Sequence, residues 1–281
     1  MEAKLKNFLD AKKVDTRLLG DIERHLMKAP PSDRSSLVLH PSEIIKPDFC
    51  HKYSQYLLEG GTKKPDNPGL RMQNIFDEGH YIHEKWQNRL YSMGTLYGDF
   101  QCLACRTVMS GLSPLKCTWC SSVAPLRYQE VKLFDKGLRI AGHTDGWVKD
   151  DQPDVLIEVK SVGEGTLRFE APELLRDAGG DAAKAWKNVR RPFLGHLRQG
   201  QMYLELAKRE YGEAAPRKIV FIYEFKANQD YKEFTVKADF DVVERYFFTA
   251  EKIVTAVKRN NQLECNIGGD AGCKMCNLIT A

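Results

Sequence analysis

Two β-rich runs around a short polar turn, from Gly142 to Ser161, constrain this chain more than any other stretch. The first reads Gly142-His143-Thr144-Asp145-Gly146-Trp147-Val148, and the second Val155-Leu156-Ile157-Glu158-Val159-Lys160-Ser161. Between them, Lys149 to Asp154 holds the Asp, Gln and Pro of a turn, so the pair predicts a hairpin. Asp145 lies on one strand. Glu158 and Lys160, two positions apart on the other, leave the same face. An Asp, a Glu and a Lys gathered at one sheet edge suit one or two hard cations and a water. The same residues also read as the charged solvent face of a hairpin. Val155 to Val159 is apolar except for Glu158, which predicts a buried strand, and a buried carboxylate needs a partner such as a metal.

At 281 residues with 42% hydrophobic content, the chain can bury a substantial core, as one large domain or one domain with insertions. Its net charge of +4 is compatible with nucleic acid without demanding it. No apolar run is long enough to span a bilayer, and Met1-Glu2-Ala3-Lys4-Leu5-Lys6 lacks a secretory core, so no membrane partner and a cytoplasmic location are expected.

In order, Met1 to about Ala29 has helical apolar spacing, broken by Pro30-Pro31. Ser42 is a candidate helix cap before Cys50. Leu70 to Met93 predicts a long helix containing Gly79, a residue that allows close approach of another backbone or a ligand. His83 shares the Gly79 face; His80 is its rival, and either reads equally as an ordinary hydrogen-bonded helix residue. Strands are predicted over Tyr128–Phe134, which contains Glu130, then Leu138–Val148 and Val155–Ser161. A loop bearing Gly163, Gly165, Gly179 and Gly180 leads to Ala182–Val189. Helix Leu194–Tyr211 carries Gln199 and Tyr203 on one face. Strands Lys218–Phe225 and Glu233–Val236 and a last helix, Asp239–Asn260, follow.

The eight cysteines are grouped as metal ligands rather than disulfides. Cys102-x2-Cys105 and Cys117-x2-Cys120 form a zinc ribbon, either a DNA-touching module or an insert that zinc holds together. Cys273-x2-Cys276 is a second ligand pair, with Cys265 as a third ligand. Cys50 closes the count as two sets of four, although a lone cysteine is also a common buried hydrophobe.

Read together, these motifs resemble the PD-(D/E)XK nuclease superfamily, in its RecB-like exonuclease branch. That branch includes the CRISPR-associated RecB-like exonucleases and the iron–sulfur nuclease domains of AddB-type helicase-nucleases. The resemblance runs through Gly79-x3-His83, Gly142-x2-Asp145, Glu158-x-Lys160 and Gln199-x3-Tyr203, in that order. One cysteine before the core and three after it match the iron–sulfur members, but the tail spacing, Cys-x7-Cys-x2-Cys, departs from their pattern. The zinc ribbon is an insertion outside it.

The resemblance implies an α/β fold: a restriction-endonuclease-like core with a mixed central sheet flanked by helices, plus the zinc-ribbon insert. Its parts would be an N-terminal helical part over 1–98, the ribbon over 99–124, the nuclease core over 125–240, and a C-terminal helix with the cysteine cluster over 241–281. It implies Mg²⁺ or Mn²⁺ held by His83, Asp145, Glu158 and the carbonyl of Val159. Asp145, Glu158, Lys160, Gln199 and Tyr203 would act on a scissile phosphate. It further implies a four-iron, four-sulfide cluster on Cys50, Cys265, Cys273 and Cys276, with zinc as the alternative. Lys187, Arg190, Arg191 and Arg198 would touch a DNA backbone or form a solvated helix face. The expected activity is a metal-dependent DNA exonuclease preferring single-stranded or free ends, in recombination or repair. The alternatives are an endonuclease of the same fold and a catalytically silent DNA-binding scaffold.

Overall fold

The computed structural model describes residues 17–26, 34–63, 69–150, 152–268 and 273–279. In chain order the helices are α1 (Arg17–Leu26), α2 (Pro41–Ile44), α3 (His51–Leu58), α4 (Leu70–Ser92), α5 (Glu164–Glu170), α6 (Pro172–Asp177), α7 (Ala182–Lys187), α8 (Leu194–Tyr211) and α9 (Glu244–Arg259). The strands are β1 (Leu96–Cys102), β2 (Val108–Leu112), β3 (Leu126–Tyr128), β4 (Val131–Asp135), β5 (Ile140–Thr144), β6 (Gly146–Val148), β7 (Val155–Val162), β8 (Lys218–Phe225) and β9 (Tyr231–Lys237). The chain divides into two units. One, Met1–Arg34 with Lys64–Glu78, contributes α1 and the opening turns of α4. Of the helix expected over the first 29 residues, Arg17–Leu26 is helical and the rest lies outside the described residues.

The other unit, Ser35–Lys63 with Gly79–Ala281, is built on a seven-stranded sheet in the order β2-β1-β6-β7-β8-β9, with β3 paired beside β1. Only β7 and β8 run parallel, joined by a crossover through α5 to α8; the other pairs are antiparallel. This is the expected α/β class, a mixed central sheet flanked by helices.

The two faces of β7 carry different neighbours, as its period-two alternation requires. Leu156 and Val162 join the main core with Met202, Leu204 and Leu206 of α8. Ile157 and Val159 pack with Ile222 against Ile82 of α4. Each large apolar chain buried this way contributes about 1.5–3 kcal/mol. Helix α8 lies close on the sheet because position 200 is glycine: a Cβ there would stand 2.5 Å from the Phe221 ring.

Several local expectations are corrected. The run from Leu138 to Val148 is two strands, not one. β5 pairs with β4 in a separate two-stranded sheet and β6 enters the main sheet, with Asp145 the single residue between them. The hydroxyl of Thr144 donates to the Ile157 carbonyl at 2.6 Å, a side chain standing in where the chain leaves one sheet for the other. The strand expected over Tyr128–Phe134 is likewise interrupted, with Glu130 at φ 22°. The glycine-marked loop after β7 holds the short helices α5 and α6, and only Gly179-Gly180 turns the chain. Ser42 is not a cap: His40 precedes α2 in extended conformation and Pro41 opens the helix, where its missing N–H costs nothing.

The four-cysteine insert grows directly out of the sheet, since Cys102 is the last residue of β1. Positive φ at Arg106 and Ser121, each just after the second cysteine of a pair, folds the backbone around the thiols. Among the described residues, no helix is long and apolar enough to cross a membrane.

Candidate active site

The kink at Asp145 creates the site. β6 pairs with β7 only as far as Gly146 and Ile157, so the next stretch of β7 has an open edge on that side. The Val159 N–H, pointing into that gap, donates to Asp145 Oδ2 at 2.6 Å. A residue's N–H and C=O leave a strand on the same side, so the Val159 carbonyl faces the gap as well.

Helix α4 delivers His83 to the same edge. It is anchored on one side of His83 by Ile82 in the apolar contact with β7 and β8. On the other, the buried carboxylate of Glu224 accepts from Lys85 Nζ and, at 2.8 Å, from Trp86 Nε1. His83 Nδ1 then lies 2.9 Å from Asp145 Oδ1, and Gln87 Nε2 donates to the Asp145 carbonyl at 3.0 Å. Burial alone would lower the His83 imidazole, but the Asp145 carboxylate outweighs it and holds His83 above its usual range. His80, the rival histidine, is exposed and makes no such contact. A Cβ on Gly79 would meet Ser161 Oγ at 3.4 Å.

On the α8 face of β7, Lys160 Nζ donates to Glu158 Oε1 at 2.7 Å and to Gln199 Oε1 at 3.0 Å. The Gln199 amide in turn donates to the Tyr203 hydroxyl at 2.7 Å. Burial pushes Glu158 up to about 7, with Lys160 as the main counterweight. For Lys160, burial lowers and the Glu158 and Asp145 carboxylates raise, and the carboxylates win, so the ammonium stays protonated. Burial also raises the Tyr203 phenol well above its usual range.

One polar atom here has no partner among the described residues: Glu158 Oε2, on a residue only 3% exposed. An unpartnered carboxylate oxygen at that depth is costly unless a cation meets it. Alongside, one ligand atom each from His83, Glu130 and Asp145 lies within 4.8 Å of the others. Imidazole with carboxylates is a donor set that fits Mn²⁺ or Mg²⁺. Glu130 is not among the ligands expected from the sequence. It lies in the break between β3 and β4, where partial burial and the Asp145 carboxylate push it up to about 7. The only sequence signal for it was its place in a β-rich run just before Gly142-x2-Asp145.

The cysteines form two separate groups, each with its four sulfurs within 4.8 Å of one another. In the ribbon, Cys102 and Cys120 are 3.8 Å apart and Cys105 and Cys117 3.7 Å. Hydrogen bonds from Thr107 draw the Cys105 thiol down to about 6, ready to ligate as thiolate. In the second group, Cys50 lies 3.9 Å from Cys265 and 3.5 Å from Cys276. Backbone N–H groups, Ile267 first, draw Cys265 down to about 7.

Lys187, Arg190 and Arg191 are exposed around the α7–α8 connection, while Arg198 lines a pocket with Lys46 and Arg245.

No family model matches the chain, and no curated protein matches it. Among solved structures, it is similar to an alkaline exonuclease, LHK-Exo, from Laribacter hongkongensis, at 9% identity over 80% of this chain and 90% of that one, with a TM-score of 0.45. It is similar to LHK-Exo in complex with dAMP at 10% identity over 80% and 90%, with a TM-score of 0.43. It is similar to SSO0001 at 13% identity over 92% and 91%, with a TM-score of 0.37.

Proposed function

We propose that this chain is a metal-dependent DNA exonuclease of the PD-(D/E)XK type, RecB-like in its motifs, that hydrolyses phosphodiester bonds at single-stranded ends in recombination or repair. The supporting observation is that two hydrogen-bonded groups, His83 with Asp145 on the Val159 N–H and Glu158-x-Lys160 with Gln199-x3-Tyr203, are carried by consecutive residues of β7.

His83, Asp145, Glu158, the Val159 carbonyl and Glu130 are the groups that would hold Mg²⁺ or Mn²⁺. When bound, the cation offsets the charge that builds on the phosphate oxygens. Lys160 has three N–H donors and spends two on Glu158 and Gln199. The third is available to orient an attacking water, and a lysine that stays protonated steadies the negative charge the attack develops. Gln199, held between Lys160 and Tyr203, fixes the rotamers of both. The protonated Tyr203 hydroxyl stands beside them as a donor toward a phosphate oxygen.

Linear and circular single-stranded DNA, offered to the purified chain with Mg²⁺, with Mn²⁺ and with chelator, test this directly. Linear DNA should be degraded in either metal, circular DNA left intact, and Asp145→Asn and Lys160→Met should be folded but inactive. Equal cutting of both forms makes the chain an endonuclease. Undiminished cleavage by Asp145→Asn removes the assignment altogether.

For the ribbon we propose one Zn²⁺. For the second cysteine set, the one-early, three-late arrangement supports the four-iron cluster, in a structural role. A second reading has its own support. Four sulfurs about 2.3 Å from one zinc are mutually about 3.8 Å apart, which is close to the 3.5 and 3.9 Å measured from Cys50. A four-iron cube, with an iron inside each sulfur, needs them wider. Iron, zinc and labile sulfide measured on anaerobically purified protein separate the two.

A further inference from the structure

A pocket of about 420 Å³ opens where the loop after α2 meets α8 and α9. Its lining includes Lys46, His51, Arg198 and Arg245, an aromatic wall of Phe49 and Tyr246, and no carboxylate. Arg245 lies over the Tyr246 ring and donates to its hydroxyl. No ion pair joins Lys46, Arg198 or Arg245 to a described carboxylate. Some arginines elsewhere are paired, Arg168 with Glu164, Arg209 with Asp135 and Glu205, and Arg217 with Glu213. Three permanent cations facing one concave space repel one another, and an anion that enters relieves the repulsion.

The pocket is built rather than incidental. Asn266 accepts from the His51 N–H at 2.8 Å and donates to the Phe49 carbonyl at 3.0 Å, fixing the loop that carries both residues. It also stands one residue from the site described above, because Arg198 is followed on α8 by Gln199, which holds Lys160. Helix α2, which contributes Ile44 to the pocket, also places Pro41 beside Gly142.

We propose that this pocket seats a phosphate of the nucleic-acid strand, with its sugar or base against Phe49 and Tyr246. Arginine and lysine without counter-ions suit phosphate, and aromatic walls accept any base. The inference rests on the proposed nuclease reading for the identity of the ligand, but its test needs no cleavage. The phosphate is either internal to the strand or its terminal 5′ group, and the two are separable by experiment.

The probe is a dye-labelled single-stranded oligothymidine, made with a 5′-phosphate or a 5′-hydroxyl, titrated with the full chain at several salt concentrations in chelator-free buffer without added Mg²⁺ or Mn²⁺. Anisotropy should report at least tenfold weaker binding for Arg198→Gln/Arg245→Gln, with the salt slope lowered by about two. Lys46→Gln, a change to an exposed side chain, should lower the slope by about one. It stands as the second variant, and thermal melts check that both are folded. Equal loss on both oligonucleotides identifies an internal phosphate; loss confined to the 5′-phosphorylated strand identifies the terminal group. Affinities within twofold of wild type, with an unchanged slope, overturn the proposal. Binding is read without added Mg²⁺ or Mn²⁺, so an inactive wild-type chain leaves this result intact, and unaltered binding by the pocket variants leaves the cleavage site standing.

Discussion

Gly142 ties the motif to the packing. A Cβ at this position would stand 2.7 Å from Tyr203 Cε1 and 3.2 Å from Pro41 Cγ, so the strand, α8 and α2 meet with no room for a methyl group. Gly142→Ala should cost about 1–3 kcal/mol as overpacking and push Tyr203 off the Gln199 amide. Denaturant melts would read the first effect and cleavage assays the second; wild-type behaviour in both would show that the ring moves aside freely. At the same scale, Glu130→Gln should weaken Mn²⁺ binding without unfolding the chain, because this side chain keeps 40% of its exposure and is not part of the core. Calorimetric titration of Mn²⁺ gives the answer, and an unchanged dissociation constant excludes Glu130 as a ligand. These two residues mark what the sequence makes legible. Asp145, Glu158 and Lys160 stand out because ionisable residues in an apolar run demand an explanation. Glu130 does not, since it sits at positive φ between two strands with no periodic pattern to flag it.

Elements are legible where one period runs unbroken. Helix α8 and strand β8 have the boundaries their apolar spacing predicts, and α4 ends within one residue of its predicted end. The boundaries missed are those set by partners. Nothing in the alternation from Leu138 to Val148 reveals that the first half pairs with β4 and the second with β7, because both halves alternate alike. Helices α5 and α6 are short, and the glycines beside them dominate the local signal. Glu224 in β8 shows how one element sets the function of another. It is 2% exposed and holds Lys85 and Trp86, the turn of α4 just after His83. Glu224→Leu would leave the Trp86 indole N–H without its acceptor, a loss of about 1–3 kcal/mol. It should also loosen the seat of His83, lowering both the melting temperature and Mn²⁺ affinity. If stability falls and Mn²⁺ affinity does not, the clamp supports the fold alone.

Over the whole molecule, the two cysteine sets close loops of very different length. In the four-cysteine insert, Cys102 and Cys120 are 18 residues apart, and a metal held there would organise a local excursion from the end of β1. In the second set, Cys50 meets Cys265 across 215 residues. By loop entropy alone, the longer closure restrains the chain by about 2 kcal/mol more than the shorter. What each set holds widens the gap. Cys50 is the N-cap of α3, with its sulfur accepting from the Tyr53 N–H at 3.4 Å, and a thiolate there gains from the helix terminus. Helix α3 in turn packs on α9, and Gln55 reaches the chain beyond α9 through the Asn261 carbonyl and the Leu263 N–H. Losing the second site therefore frees α3 and the tail together, along with the Phe49–His51 wall of the cationic pocket. Losing the ribbon site frees only the insert. Cys50→Ala should accordingly lower the melting temperature more than Cys120→Ala and weaken oligonucleotide binding in chelator-free buffer, while Cys120→Ala releases one metal and leaves the core transition nearly in place. Paired melts with metal analysis of both variants decide the matter. A Cys50→Ala protein that melts with the wild type would mean that no metal bridges the early and late parts of the chain.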